Sequence, residues 1–583
     1  MHEVAVWAPR AKKVSVKIGS DIHPMTGPDQ RGWWKASVEA VPGADYAYVL
    51  ADDPVPYPDP RSLWQPEGVH GPSRIYDHAA YAWSDAGFQP APLASAIVYE
   101  LHIGTFTPEG TFDSAIGRLD YLADLGITHV ELMPVAEFPG RHGWGYDGVA
   151  LFAVNHTYGG PDGLKRFVEA AHKRGLAVLL DVVYNHFGPV GNYTGKFGPY
   201  VTSRHSTPWG DAVNFEGAGS DQVRRFFCDN ALMWMRDYHI DGLRLDAVTE
   251  YVDRSAVHFM EQLSTETQAL SADLGRPLVL IAESDLNDPR IVRPRDAHGY
   301  GVDAQWSDDF HHALFTVLAP QERQGYYQDF GTIEQLARSL THAFVYDGIY
   351  SRYRKRHHGR PIDDPSAHRF LGYIQNHDQI GNRAIGDRVD QTVGLERAKI
   401  AAAIVFTAPF VPMIFQGDEF AASSPFQYFA DHDDPKMARS VSEGRRREFA
   451  AFGWDPAQIP DPENPETFLR SKLNWNEIGE TRHAEMLDWY RKLVRLRRSS
   501  AALNSGDLRN TAVAFDEDKR WLTMERRAEQ GVVRVLCNLG DQPVRIPNPN
   551  SLPIVLASSE HVKAVGNEIH MPPDSVAIFS SEP

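Results

Sequence analysis

Carboxyl groups stand in this sequence where apolar runs end, and their positions ask for chemistry. The run LLDVVYNH carries Asp181, Asn185 and His186, and GLRLDAV carries Arg244 and Asp246. LIAESD carries Glu283, and YIQNHD carries His377 and Asp378. Any one of these could be a satisfied buried polar group. Four in succession, each with a carboxylate, are costly to bury unless paired or used. Arg244 and Asp246 are two apart, so on a strand their side chains share a face, and a cation there favours the ionised form a nucleophile requires. Glu283 follows apolar LVLIA, where loss of water raises its pKa and keeps a proton available for a leaving oxygen. One ionised and one protonated carboxyl is the division of labour that glycosidic bond cleavage needs. Asp378, beside His377, could hold sugar hydroxyls and support positive charge developing on the ring.

The elements that must position these groups follow from periodicity. From Ile97 onward, short apolar runs alternate with amphipathic stretches. IVYELHIGTF, THVELMPV, AVLLDVVYNH, GLRLDAV, PLVLIAESD, the weaker VDAQWSD, FLGYIQNHD and VPMIFQGDE make a set of eight strands. Helices are expected around Ser114 to Leu125, over LKRFVEAAHKRG to Gly175, and over VRRFFCDNALMWMRDYH. Eight strand–helix alternations predict a central (β/α)8 TIM barrel, whose active site gathers at the C-terminal ends of the strands. A doubly wound open sheet competes on pattern alone, but no glycine-rich phosphate fingerprint follows the first strand. Before the barrel, VAVWAP, VSVKI and ADYAYVL alternate apolar and polar residues, which predicts an N-terminal β-sandwich module over residues 1–90. The proline-rich stretch from Pro54 to Pro72 reads as an ordered wrap, and Pro90 to Pro92 as the boundary. The barrel with its loop insertions is expected over 91–499, the longest insertion running from Gly188 to Gly219. VVRVLCNLG and SVAIFSS place a C-terminal β-domain over 500–583.

Composition excludes several partners. At 583 residues the chain is too long for one core. A net charge of −19 argues against nucleic acid, since phosphate binding needs a basic surface. The one basic run, RYRKRHHGR from Arg352 to Arg360, reads as a solvated loop. Two distant cysteines, Cys228 and Cys537, make no disulfide framework and suit a reducing compartment. The apolar stretch Ala401 to Phe415 carries Pro409 and Pro412 and is too short for a bilayer, so it reads as a buried helix running into a buried strand. No membrane association is expected, and the N-terminal MHEVAVWAPR lacks a signal-peptide core, from which a cytoplasmic location follows.

The blocks DVVYNH, GLRLDAV, IAES and IQNHD resemble the signature regions of glycoside hydrolase family 13, the α-amylase family. That resemblance implies Asp246 as nucleophile, Glu283 as acid/base and Asp378 as transition-state stabiliser. It makes Asp181, His186, Arg244 and His377 supporting residues and Tyr146, in HGWGYDG, an aromatic platform for the sugar attacked. PDPRSLWQPEGVHGPS, GRHGWGYDGV, AESDLNDPR, QWSDDFHHAL, NHDQIGNRA and PFQYFADH resemble motifs of the trehalose-releasing branch of that family. They imply hydrolysis of the α-1,4 bond next to a terminal trehalose unit of a maltooligosyl trehalose or related α-glucan, with Trp306 and Asp309 among the substrate-binding residues. No cofactor is expected. Many amylases use the position of Asn185 for calcium, but the segment GPVGNYTGKFGPYVTSRHSTPWGDAVNF that follows holds only Asp211 as an acid, so no metal is expected either. The pairs His311–His312 and His357–His358 lack metal-ligand spacing and read as surface or site-rim histidines. Two rivals stand beside hydrolysis. A branching or debranching enzyme would use the same three carboxylates, and an inactive glucan-binding scaffold would be expected to have lost at least one.

Overall fold

The computed structural model describes residues 2–51, 53–363, 366–451, 454–548 and 552–582. Eight strands close into one parallel barrel: β1 (Val98–Leu101), β2 (His129–Leu132), β3 (Ala177–Val182), β4 (Gly242–Leu245), β5 (Val279–Ala282), β6 (Ala304–Trp306), β7 (Phe370–Gly372) and β8 (Val411–Phe415). They follow one another in chain order around the barrel, and β8 pairs with β1 to close it. All eight lie in the runs read as strands, and the open sheet is excluded by closure.

Period-two alternation sorts the strand residues. Val98, Leu179, Ile281, Ala304, Trp306, Leu371, Tyr373, Val411 and Met413 form a buried cluster of their own, the barrel interior. Their neighbours Tyr99, Leu101, Val178, Leu180, Leu243, Leu245 and Leu280 pack outward with the helices. Carrying the same parity upward puts Glu100, Glu131, Asp181, Arg244, Asp246 and Glu283 inside, so the polar groups lie on the layers above the apolar ones.

The helix Ser220–Asp237 buries Phe226, Phe227, Trp234 and Met235 and matches its expected stretch. The helix expected around Ser114 to Leu125 is instead two short ones, Phe112–Ile116 and Leu119–Leu125, parted at Gly117. Helix Leu395–Thr407 runs into β8 as read, and no helix is long and apolar enough to cross a membrane among the described residues.

At the N-terminus, a two-stranded sheet (His2–Trp7 with Trp33–Val38) faces a five-stranded antiparallel sheet over a core that includes Val4, Val6, Val16, Trp34 and Tyr48. The proline-rich wrap docks this module on the barrel. Arg61 meets Asp229 at 2.8 Å, and Trp33 donates to Gln222 at 2.8 Å. The insertion after β3 forms a hairpin, Val201–Thr207 with Gly210–Val213. The basic run is the turn and second strand of another hairpin, Asp347–Ser351 with Arg356–Gly359.

The C-terminal domain has a five-stranded and a three-stranded antiparallel sheet. Buried Arg526 ties it to the barrel, and buried Arg497 closes the same helix end from within the barrel; both have carbonyls rather than carboxylates as partners. Arg497 donates to Phe406 O, Ala408 O and Phe410 O at 3.2, 2.6 and 2.8 Å. Arg526 donates to Thr407 O and Ser505 O at 2.8 and 2.5 Å. Both sit where helix Leu395–Thr407 ends, the pole at which a cation is favoured. An orphaned buried carbonyl costs about 1–3 kcal/mol. Arg497→Leu, which orphans three, is therefore expected to lower the melting temperature by several degrees in a thermal shift assay, with Arg497→Lys intermediate.

Candidate active site

The register between β3, β4 and β5 decides which side chains meet. Asp181 pairs with Arg244, Arg244 with Ile281, and Leu245 with Ala282. The ladder then runs one residue past the strands, with Asp246 N donating to Val182 O at 3.1 Å and Glu283 N to Leu245 O at 3.0 Å. Asp246 and Glu283 thus leave adjacent strand ends at one level. Ala247 follows in a left-handed conformation (φ 36°, ψ 55°), uncommon and costly for a residue with a Cβ. That turn aims its amide at Glu283 Oε2, 2.8 Å away.

Arg244 joins the group. It is fully buried, and its Nη1 donates to Asp181 Oδ2 at 2.7 Å and to Asp246 Oδ1 at 2.8 Å. Its Nη2 lies 2.7 Å from Glu283 Oε2, an ion pair without hydrogen-bond alignment. Trp306 lies beneath, its ring 4.3 Å from the guanidinium carbon. Trp306 is 1% exposed, so the expectation that it binds substrate is corrected: it is a floor under Arg244 and does not reach the cleft. The inward parity of Ala304 and Trp306 put it in the barrel interior, below the rim where a sugar lies.

Burial pushes Asp246 up to about 6, against the lowering by Arg244, and pushes Glu283 up to about 7. The sequence expectation for Glu283 has the same direction. For Asp246, Arg244 acts as expected, but loss of water outweighs it. At neutral pH the two still divide as one mainly ionised and one substantially protonated carboxyl.

On the opposite wall, His377 is 1% exposed. Its Nδ1 bonds Glu100 Oε1 at 2.5 Å and its Nε2 bonds the Tyr146 hydroxyl at 2.8 Å, while Asp378 Oδ1 is 3.5 Å from Nε2. Burial would depress the imidazole, yet the charges of Asp378 and Glu100 and the Glu100 hydrogen bond raise it to about 9. A doubly protonated ring donates from both nitrogens. The Tyr146 hydroxyl can then accept from His377 and donate to Asp181 Oδ2 at 2.5 Å, linking the histidine wall to the arginine wall. Tyr146 is aimed by Gly145, at φ +100°, where a Cβ would lie 2.2 Å from Pro134 O. Only glycine suits that turn. His186 accepts its place from the same loop, with Nε2 3.0 Å from Tyr146 O, and its ring stacks at 4.7 Å on Trp209.

The structure therefore brings together Tyr146, Asp181, His186, Arg244, Asp246, Glu283, His377 and Asp378. It does not bring Asp309, a second correction. Asp309 is 5% exposed, and its Oδ2 accepts from Asn287 Nδ2, Val345 N and Tyr346 N at 2.8, 2.6 and 2.8 Å. Three donors on one oxygen pin the chain at Val345–Tyr346, which is the role the structure gives it. Its neighbour Asp308 faces the cleft instead, the parity of Ala304 and Trp306 carried two residues on. His311 is also corrected: it is buried, with Nε2 2.9 Å from the Tyr327 hydroxyl. His358 is buried too, bonded to Asp285 O at 2.7 Å.

Three more site groups escaped sequence reasoning. Glu100 lies on the inner face of β1, opposite Glu131 on β2. Glu131 is 1% exposed, neither of its oxygens has a hydrogen-bond partner among the described residues, and burial pushes its pKa well up, which favours the protonated form. The period-two signal was available for both, since each interrupts an apolar run as Asp181 does. Trp209 is half exposed at the rim, and nothing in the sequence of the insertion marked it. Among the described residues no cluster of three or more metal-ligating side chains occurs.

A family model described as the alpha amylase catalytic domain matches residues 73–204 and 217–506, and a domain of unknown function matches 506–578. A malto-oligosyltrehalose trehalohydrolase of Rhizobium sp. (strain M-11) is 49% identical, covering 98% of this chain and 97% of the relative. The enzyme of the same name in Mycobacterium tuberculosis is 49% identical over 94% of each chain. Among solved structures, a Salmonella typhimurium protein assigned as an alpha amylase superposes with a TM-score of 0.91 at 36% identity, covering 100% of this chain and 97% of the other.

The coupling of His377 to Glu100 carries a pH consequence. A histidine raised in the fold contributes stability that is full below its unfolded pKa, about 6.5, and lost as pH rises through about 9. Glu100→Gln removes one of the raising charges. The His377 imidazole is expected to titrate at lower pH by NMR. An unmoved titration would show that Glu100 does not set the charge of His377.

Proposed function

The chain belongs to the alpha-amylase family, and on that premise we propose that it is a trehalohydrolase. In this reading it cleaves the α-1,4-glucosidic bond next to the terminal trehalose of a maltooligosyl trehalose, releasing trehalose and a maltooligosaccharide with retention. The observation that carries the reading is the sharing of one guanidinium by Asp246 and Glu283 at adjacent strand ends. A planar fork whose terminal nitrogens lie side by side holds the two carboxyls close, as the retaining route needs at about 5–5.5 Å.

Asp246 attacks the anomeric carbon while Glu283 gives its proton to the leaving oxygen. The C–O bond breaks, trehalose departs with that proton, and a glycosyl ester on Asp246 remains. Glu283, now ionised, takes a proton from water, which attacks the same carbon and frees Asp246. Asp378 holds hydroxyls of the sugar attacked, the His377 imidazolium fixes the Tyr146 hydroxyl, and Tyr146 lies under the sugar ring. Asp181 Oδ1 is buried without a hydrogen-bond partner among the described residues, which suits it to accept from the same sugar. Substrate choice rests on the relatives named trehalohydrolase and on the shared motifs. A cytoplasmic setting belongs to the same proposal, supported by two cysteines that are both free and buried.

Early-time proton NMR of maltotriosyl trehalose hydrolysis tests mechanism and substrate together. The expected products are trehalose and maltotriose that appears first as the α-anomer. A β-anomer would refute the two-carboxylate assignment, and glucose or maltose without trehalose would remove the specificity.

Two substitutions separate the carboxyl roles. Glu283→Gln is expected to lower turnover by about 10²–10⁴-fold and to abolish the basic limb of the pH profile, which lies near 7 in the free enzyme. Asp246→Asn is expected to lose several orders of magnitude, and near-normal activity would overturn its role as nucleophile.

A further inference from the structure

One carboxyl at the barrel mouth is used by none of these steps. Asp308 follows β6 by two residues and begins helix Asp308–Leu318. Its Oδ1 accepts from the Tyr373 hydroxyl at 2.6 Å, and Tyr373, two residues past Leu371 of β7, is fully buried in the barrel interior. Asp308 is half-buried, and no bond holds its second oxygen among the described residues.

The bland reading is an acid in the first turn of a helix, worth about as much as any charge near the macrodipole. Against it, neither oxygen accepts a backbone N–H of that helix, and Asp309 one residue on is also acidic. The side chain turns toward a tyrosine on the neighbouring strand instead. Burial pushes Asp308 up to about 8, with Glu283, Asp285 and Asp378 adding to the rise, so at neutral pH it holds a proton. A neutral carboxyl both donates and accepts, and a sugar hydroxyl can meet either role.

Its side of the cleft decides which sugar. β6 pairs with β5, whose end carries Glu283, and lies away from β4, whose end carries Asp246. Asp308 therefore stands beside the group that protonates the leaving oxygen. Tyr326, 37% exposed, lies along the same rim, within electrostatic reach of Asp308. We propose that Asp308, oriented by Tyr373, is a specificity-determining residue that hydrogen-bonds a hydroxyl of the departing sugar. The inference rests on the trehalohydrolase reading for the identity of that sugar, but not for the contact itself.

The test compares kcat/KM of wild type, Asp308→Ala and Asp308→Asn on three substrates. Maltotriosyl trehalose and maltopentaose place a sugar on the leaving side, and 4-nitrophenyl α-maltotrioside places an aromatic ring there. Asp308→Ala is expected to lose about 10–100-fold on the two sugar leaving groups and far less on the nitrophenyl substrate, with Asp308→Asn between. Equal losses on all three, with a lowered melting temperature, would overturn the proposal in favour of a helix-end role. A wild type that does not prefer maltotriosyl trehalose to maltopentaose would instead refute the trehalohydrolase reading, while the contrast with the nitrophenyl substrate would still report on Asp308.

Discussion

Arg244 has no water with which to share its charge, and most of the site is arranged around that fact. A buried cation costs several kcal/mol unless it is paired and its donors are used. Asp181, Asp246 and Glu283 meet that need from three adjacent strands, and Trp306 supports the guanidinium from below. The arginine in turn makes tolerable a concentration of carboxyls that would otherwise repel. Removing either side would leave the other uncompensated, which is why the strand ends must keep their register.

Two cations, Arg244 and His377, face the carboxyls of Glu100, Glu131, Asp181, Asp246, Glu283 and Asp378. They cannot neutralise all six, so burial shares out protons according to position. Glu131, buried and unbonded among the described residues, is pushed furthest toward its protonated form. Asp246 and Glu283 are poised around neutrality, each responsive to the other. A glycosyl ester on Asp246 would remove its charge and ease ionisation of Glu283, the change its second role requires. His377 stays charged because Glu100 supports it from inside the barrel, so a residue far below the sugar tunes one beside it.

Asp308 and Asp309 show how a small shift in direction separates structure from recognition. They are consecutive and chemically identical. One has three donors on a single oxygen and pins the chain at Val345–Tyr346. The other spends one oxygen on Tyr373 and presents the remainder to the cleft. The rim they help build is where members of one barrel family come to differ, since loops after the strands vary while the strand ends do not move.

The eight barrel strands, the inward face of Asp181, Arg244, Asp246 and Glu283, and the raised pKa of Glu283 were legible in the sequence. Each depends on local facts: apolar runs of strand length, a period of two, and a carboxyl set against apolar neighbours. Family motifs added Tyr146, His186, His377 and Asp378, because a motif records a geometry without deriving it. Glu100 and Glu131 carried the same local signal as Asp181, and only their pairing across β1 and β2 made them partners of the site. Trp306 and Asp309 were misread because a motif says which residues travel together and not which way each points. Direction past a strand end, the net rise of the Asp246 pKa and the stacking of Trp209 on His186 were decided by tertiary structure. They depend on what surrounds a group from other strands and loops, and distance through space, unlike periodicity, is not written along the chain.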